Sequence, residues 1–262
     1  MRFSVTEQPL LFICVFLFLN WGWVLLFLST CSSIPTKQKT IRFGGLLTTM
    51  QTLAKQGINM TVSYLEFEEI ALSVVQNQKS GLSCALFHEK EDGPEFGKII
   101  AGAILSSFLR EFPDETWNGI NIRPQKFTGF TNKIVDAINN STQTILQQLK
   151  QKRGLLNALL VFDEGRHPIT AGKLEDHVAV VANLQALLTF SSELMAAKQD
   201  APQVVTLDMS KQVVYLYRLR ANASLVCICR KSVRREAYLE HIHLAATLVE
   251  QVFTLQRNLT GQ

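Results

Sequence analysis

The chain has 262 residues, of which 47% are hydrophobic and 18% charged, and a formal net charge of +4. That balance reads as globular rather than disordered and leaves room for one large domain or two. Its mild basicity is scattered except for Arg218, Arg220, Arg230, Lys231, Arg234 and Arg235, which could face phosphates or an acidic membrane surface, or line a solvated strand edge and helix start. Nucleic acid is not expected as a partner. Five cysteines, Cys14, Cys31, Cys84, Cys227 and Cys229, are too few and too irregular for a disulfide framework. Cys227 and Cys229 share one face of a strand and read as buried thiols, since a zinc site needs two further ligands. Asn59, Asn139, Asn140, Asn222 and Asn258 begin N-x-[ST] sequons, which matter only in the secretory pathway.

The first element is the uncharged run PLLFICVFLFLNWGWVLLFLST, from Pro9 to Thr30. Three readings of it are open. Leu10 to Leu28 is close to the ~20 residues that a spanning helix needs, and Lys37, Lys39 and Arg42 beyond it would leave the remainder cytosolic. Ser29, Thr30 and Cys31 resemble the end of a signal peptide, with Arg2 as a poor n-region. Asn20 to Gly22 is turn chemistry, so strands from about Leu11 to Phe18 and from Trp23 to Ser29 would make a hairpin, although the run lacks the alternation of a half-exposed one.

A helix follows from Phe43, with Leu46, Leu47, Met50 and Leu53 as its apolar stripe. Three short strands come next, Met60 to Phe67, Ile70 to Gln76 and Ser83 to Phe87, then a helix from Glu95. Pro113 and Pro124 punctuate the chain before a helix from Phe130 to Lys152, striped by Ile134, Ile138, Ile145 and Leu149. GLLNALLVFDEGRHPITAG, Gly154 to Gly172, is a hairpin turning at Asp163 to Gly165. A helix from Asn183 carries Leu184, Leu187, Leu188, Ser191 and Leu194. Strands Val204 to Asp208, Gln212 to Arg218 and Ser224 to Arg230 lead to a last helix from Glu236. The second half thus reads β-β-α-β-β-β-α, a five-stranded antiparallel sheet with helices packed on it.

The first half repeats the order. VSYLEFEEIALSVVQNQKSGLSCALF aligns without a gap on VTLDMSKQVVYLYRLRANASLVCIC, setting Val62 on Val205, Leu72 on Tyr215 and Cys84 on Cys227. The hairpin missing from that half falls inside Pro9 to Thr30. The expected fold class is α+β, with a first domain over 1–153 and a second over 154–262.

This order resembles the longin-domain family, with the roadblock fold as near neighbour. The stretches that carry it are NALLVFDEGRHPI, the helix through LQALLTFSSELMAA, and the meander QVVTLDMSKQVVYLYRLRANASLVCICR, with a similar likeness over Phe43 to Lys152. The resemblance implies two tandem longin-like domains acting without catalysis in vesicle-mediated transport. Its relatives include SNARE regulatory domains, adaptor small subunits and tandem-longin subunits of exchange complexes for Rab-type GTPases. With no SNARE heptad tail read after the last helix, the SNARE branch is not the expected one. The implied partner is another subunit or a Rab-type small GTPase, held through sheet edges and helix faces, and the implied location is cytoplasmic and peripheral to an endomembrane. Membrane contact would go through the N-terminal apolar segment or the basic residues of 218–235. A membrane-anchored or exported α+β protein, held through residues 10–28, is the alternative.

The sequence has no G-x-x-x-x-G-K-[ST], no G-x-G-x-x-G after a strand, no G-x-S-x-G and no H-E-x-x-H. His241 and His243 diverge by about 200° on a helix and cannot share a metal. Asp163, Glu164 and His167 read as a solvated hairpin tip, and no catalytic, cofactor-binding or metal-ligating residue is expected.

Overall fold

The computed structural model describes residues 14–19, 24–29, 37–113, 127, 129–163, 166–172, 178–195, 203–220 and 222–260. Strands β1 (Cys14–Leu19) and β2 (Val24–Ser29) pair antiparallel, with Cys14 opposite Ser29 and Leu17 opposite Leu26. The apolar run therefore reverses, as the hairpin reading expects, and the continuous helix from Leu10 to Leu28 is corrected to two strands. Its turn, residues 20–23, lies outside the described residues. Among the described residues no helix is long and apolar enough to cross a membrane.

β1 lies between β2 and β5 (Leu82–Glu89), so both of its backbone edges are hydrogen-bonded. Val15 and Leu17 are buried on it, and β5 is buried at every position from Leu82 to Leu86. Strand β5 is thus covered on both faces, and a strand in that setting loses period-2 alternation.

Helix α1 (Lys37–Ile58), β3 (Tyr64–Glu66) and β4 (Ile70–Gln76) precede β5, and the antiparallel sheet runs β2-β1-β5-β4-β3. Helix α2 (Gly93–Glu111) opens with a proline in its first turn and packs on β4 and β5 through Phe96, Ile100 and Ile104. On α3 (Thr131–Lys150) the expected stripe is buried at Ile134, Ile138, Ile145 and Leu149.

A second sheet repeats the neighbour order. It is built by β6 (Leu155–Phe162), β7 (Ile169–Thr170), β8 (Val204–Asp208), β9 (Gln212–Leu219) and β10 (Ala223–Arg230), arranged β7-β6-β10-β9-β8. Helix α4 (Val178–Met195) joins β7 to β8, and α5 (Leu239–Thr260) follows β10. Leu159, Leu188, Val214, Leu216, Val226 and Ile228 form one buried apolar cluster. By contacts the chain divides into two units, Met1–Ser141 with Leu255–Gln262, and Thr142–Thr254.

Strand register corrects the gap-free alignment. Cys84 pairs with Val75, which the constant offset would carry to Arg218, yet Cys227 pairs with Tyr215. Residues 77–81 connect β4 to β5, whereas only 220–222 connect β9 to β10, so one offset cannot hold across both strands. Two of the sequon asparagines have a backbone role: Asn59 and Asn222 both sit at φ 51°, the left-handed region that asparagine tolerates best among residues with a side chain.

Candidate functional site

Two regions stand out: a buried polar pair beneath α2, and an apolar face on α1. Ser73 on β4 and His88 on β5 are diagonal neighbours, since Ser73 lies opposite Leu86 and Ala71 opposite His88. The Ser73 hydroxyl and His88 Nε2 are 3.0 Å apart, and His88 Nδ1 is 2.8 Å from the Glu89 carbonyl. That network assigns the proton to Nδ1, which donates to Glu89, and leaves Nε2 to accept from Ser73. Phe96 meets the imidazole edge-on at 6.1 Å. Asp92 Oδ2 lies 3.9 Å from Nδ1, beyond hydrogen-bond reach.

Serine, histidine and a nearby carboxylate are the parts of a nucleophilic site, but access is missing. Ser73 and His88 are 1% and 0% exposed. Gly97 of α2 covers them so closely that a Cβ there would lie 2.1 Å from Ser73 Oγ and 2.3 Å from His88 Nε2. No acyl group fits in that space, so the pair joins β4 to β5 and lets α2 approach. Nothing in the sequence marks it, because the three residues meet only through strand register and helix packing.

Burial holds His88 below its ordinary 6.5, partly offset by its bond to Glu89. Burial and then the charge of Glu89 push the Asp92 carboxyl from 3.8 up to about 6. The two contributions to stability run in opposite directions with pH. An unfolded chain protonates His88 below 6.5 while the folded one resists, so that stability is present above 6.5 and lost as pH falls. Asp92 holds its proton to about 6 when folded but only to 3.8 unfolded, so its contribution is full below 3.8 and lost as pH rises through 6. Asp92→Asn is expected to stabilise the protein at neutral pH by about 1–2 kcal/mol, with allowance for solvent near the carboxylate. Its stability should then fall steadily on acidification. Urea unfolding across the acid-to-neutral range checks this, and a pH curve overlaying that of the parent would contradict it.

The stripe expected on α1 divides between two faces. Leu47 is 2% exposed, and Met50, Gln51 and Ala54 are half-buried at helical spacing with it. Gln51 ties this face to the chain ahead of β3, its side chain bonding both the nitrogen and the carbonyl of Val62 at 3.1 and 2.6 Å. Leu46 and Leu53, two turns apart, are instead 55% and 64% exposed, and Ile58 and Met60 beyond them are exposed as well. Phe190 is exposed on α4. The outer strands differ in what they offer: β3 and β7 are short, whereas β8 has five residues with Val204, Thr206 and Asp208 exposed in alternation.

The basic residues of 218–235 separate into two groups. Arg218 pairs across to Ser224 and Arg230 across to Gln212, so Arg218 and Arg220 lie at one end of the β9–β10 ladder and Arg230 onward at the other. Lys231 and Arg235 pair with Asp208 at 2.5 and 3.6 Å. His243 meets the Tyr217 ring edge-on at 5.2 Å, with Nε2 3.3 Å from the hydroxyl, and His241 is half-buried elsewhere on α5. Asp163 and His167 are exposed beside the β6–β7 connection, where Asp163 N–H donates to the Asn222 carbonyl; Glu164 lies outside the described residues. Cys84, Cys227 and Cys229 are free and buried, and burial pushes their thiols up, Cys229 to about 12, so none is a ready nucleophile.

No protein-family model and no curated protein matches the sequence. Among solved structures it is similar to MglB from Myxococcus xanthus, at 13% identity and a TM-score of 0.41, over 44% of this chain and 89% of that one. A roadblock/LC7 domain from Streptomyces avermitilis matches at 9% identity and a TM-score of 0.35, over 45% and 97%. MglC from Myxococcus xanthus matches at 16% identity and a TM-score of 0.30, over 42% and 96%. Likeness at this level assigns no activity.

Proposed function

We propose that this protein is a noncatalytic scaffold that regulates a small GTPase, built from two longin-like domains over 1–153 and 154–262. It would act in vesicle traffic, cytoplasmic and peripheral to an endomembrane. The observation that carries the reading is the outward face of α1, where Leu46 and Leu53 stand exposed while Leu47 fills the core contact. Isolated exposed leucines are ordinary, but two on one helix face, two turns apart, make a stripe that a partner can bury. The order hairpin, helix, meander and helix, present with both sheets, is the pattern on which the longin resemblance rests.

The test is binding of the purified chain to a panel of Rab-type GTPases in their nucleotide-bound and nucleotide-free forms. Binding to at least one is expected, with loss in the double variant Leu46→Glu/Leu53→Glu. Because both side chains are solvent-facing, unfolding should change by no more than about 0.5 kcal/mol per site. A chain that binds none of the panel, or a double variant that binds as well as the parent, would refute the proposal.

A further inference from the structure

Three connections of the second unit meet at one end of its sheet. The Arg230 N–H donates to the Gly154 carbonyl at 2.8 Å, which sets the turn into β6 beside the end of β10. The Lys231 N–H donates to the Lys211 carbonyl at 3.1 Å, which brings in the β8–β9 turn. Lys152 and Arg153 come from the first connection, Lys211 from the second, and Arg230 and Arg234 from the third, all exposed. Lys231 and Arg235 stand with them, facing Asp208. Asp208 and Glu236 are the carboxylates in these connections, so the cations are in clear excess.

Within this basic end lies one apolar side chain. Met209, at the tip of the β8–β9 turn, is 45% exposed, and its carbonyl accepts a bond of 3.1 Å from Lys231 Nζ. A surface for single-stranded nucleic acid would want exposed rings for stacking, whereas the aromatic residue in these connections, Tyr238, is fully buried. An unbranched apolar side chain ringed by cations suits the boundary between lipid headgroups and acyl chains.

We infer that this end of the second sheet is a docking surface for an anionic lipid bilayer, with Lys152, Arg153, Lys211, Arg230 and Arg234 facing the headgroups and Met209 entering beneath them. The surface is independent of the α1 face.

Sedimentation of the full chain with phosphatidylcholine vesicles, with and without phosphatidylserine, tests it. Binding is expected to the anionic vesicles only and to weaken with salt. Each cation near such a surface contributes about fivefold, so Lys211→Gln/Arg230→Gln/Arg234→Gln should weaken binding about 100-fold. None of the three side chains holds a partner among the described residues, so thermal unfolding should not change. Met209→Ser should weaken binding while leaving its salt dependence in place. Leu46→Glu/Leu53→Glu should bind vesicles normally, which separates this proposal from the GTPase reading. Equal binding to neutral and anionic vesicles, or full retention by the triple variant, would overturn it. Tighter binding to a DNA duplex at the same salt would also overturn it, in favour of nucleic acid.

Discussion

Gly97→Ala is expected to destabilise the protein by about 2–4 kcal/mol, although alanine is the better helix former. The new methyl would fall 2.1 Å from Ser73 Oγ and 2.3 Å from His88 Nε2, so it can enter only by moving α2 away or by breaking the pair. Either route leaves a buried polar atom unsatisfied or the helix lifted from β4 and β5, and these costs outweigh the ~1 kcal/mol gained from helix propensity. Gly102, in the same helix, is the control. A Cβ there meets nothing within 4 Å, so Gly102→Ala should stabilise by about 0.5–1 kcal/mol. Denaturant midpoints of the two variants should move in opposite directions. Movement the same way would mean that α2 does not lie on the Ser73–His88 pair as described.

Phe108→Ala should cost about 3–5 kcal/mol. Phe108 is fully buried near the end of α2, with the rings of Phe112, Phe127 and Phe130 at 4.8, 5.3 and 5.0 Å. Removing it from the middle of four rings opens a cavity that its neighbours cannot close without giving up their own edge and tilted contacts. Phe112→Ala should cost less, because that ring is half-buried. Hydrogen exchange of the α2 amides, with denaturant unfolding, measures both. Equal effects at the two positions would contradict a cluster centred on Phe108.

The strands were largely legible because local chemistry marks them. Ile70 to Gln76 and Val204 to Asp208 agree with β4 and β8 residue for residue, since polar turns bound β-branched runs. The stripe on α3 was legible for the same reason: Ile134, Ile138, Ile145 and Leu149 have no apolar rivals on the opposite face. On α1 the pattern failed because adjacent leucines, Leu46 and Leu47, allow two overlapping stripes. Periodicity cannot choose between them, and the sheet accepts only the one that includes Leu47. The Ser73–His88–Gly97 contact was invisible because it is made by three elements whose spacing in sequence carries no signal.

The sequence by itself determined the order of elements, because that order depends on turn residues and apolar periods acting over a few neighbours. For the N-terminal apolar run it left a hairpin, a spanning helix and a signal peptide open, and the pairing of β1 with β2 decided for two strands. Tertiary structure decided the rest. It set β1 between β2 and β5. It turned Leu46 and Leu53 outward, separated the arginines of 218–235 into two groups, and gathered Lys152 and Lys211 beside one of them. Each of these depends on which strands become neighbours and in what register, and hydrogen bonding between distant segments settles that.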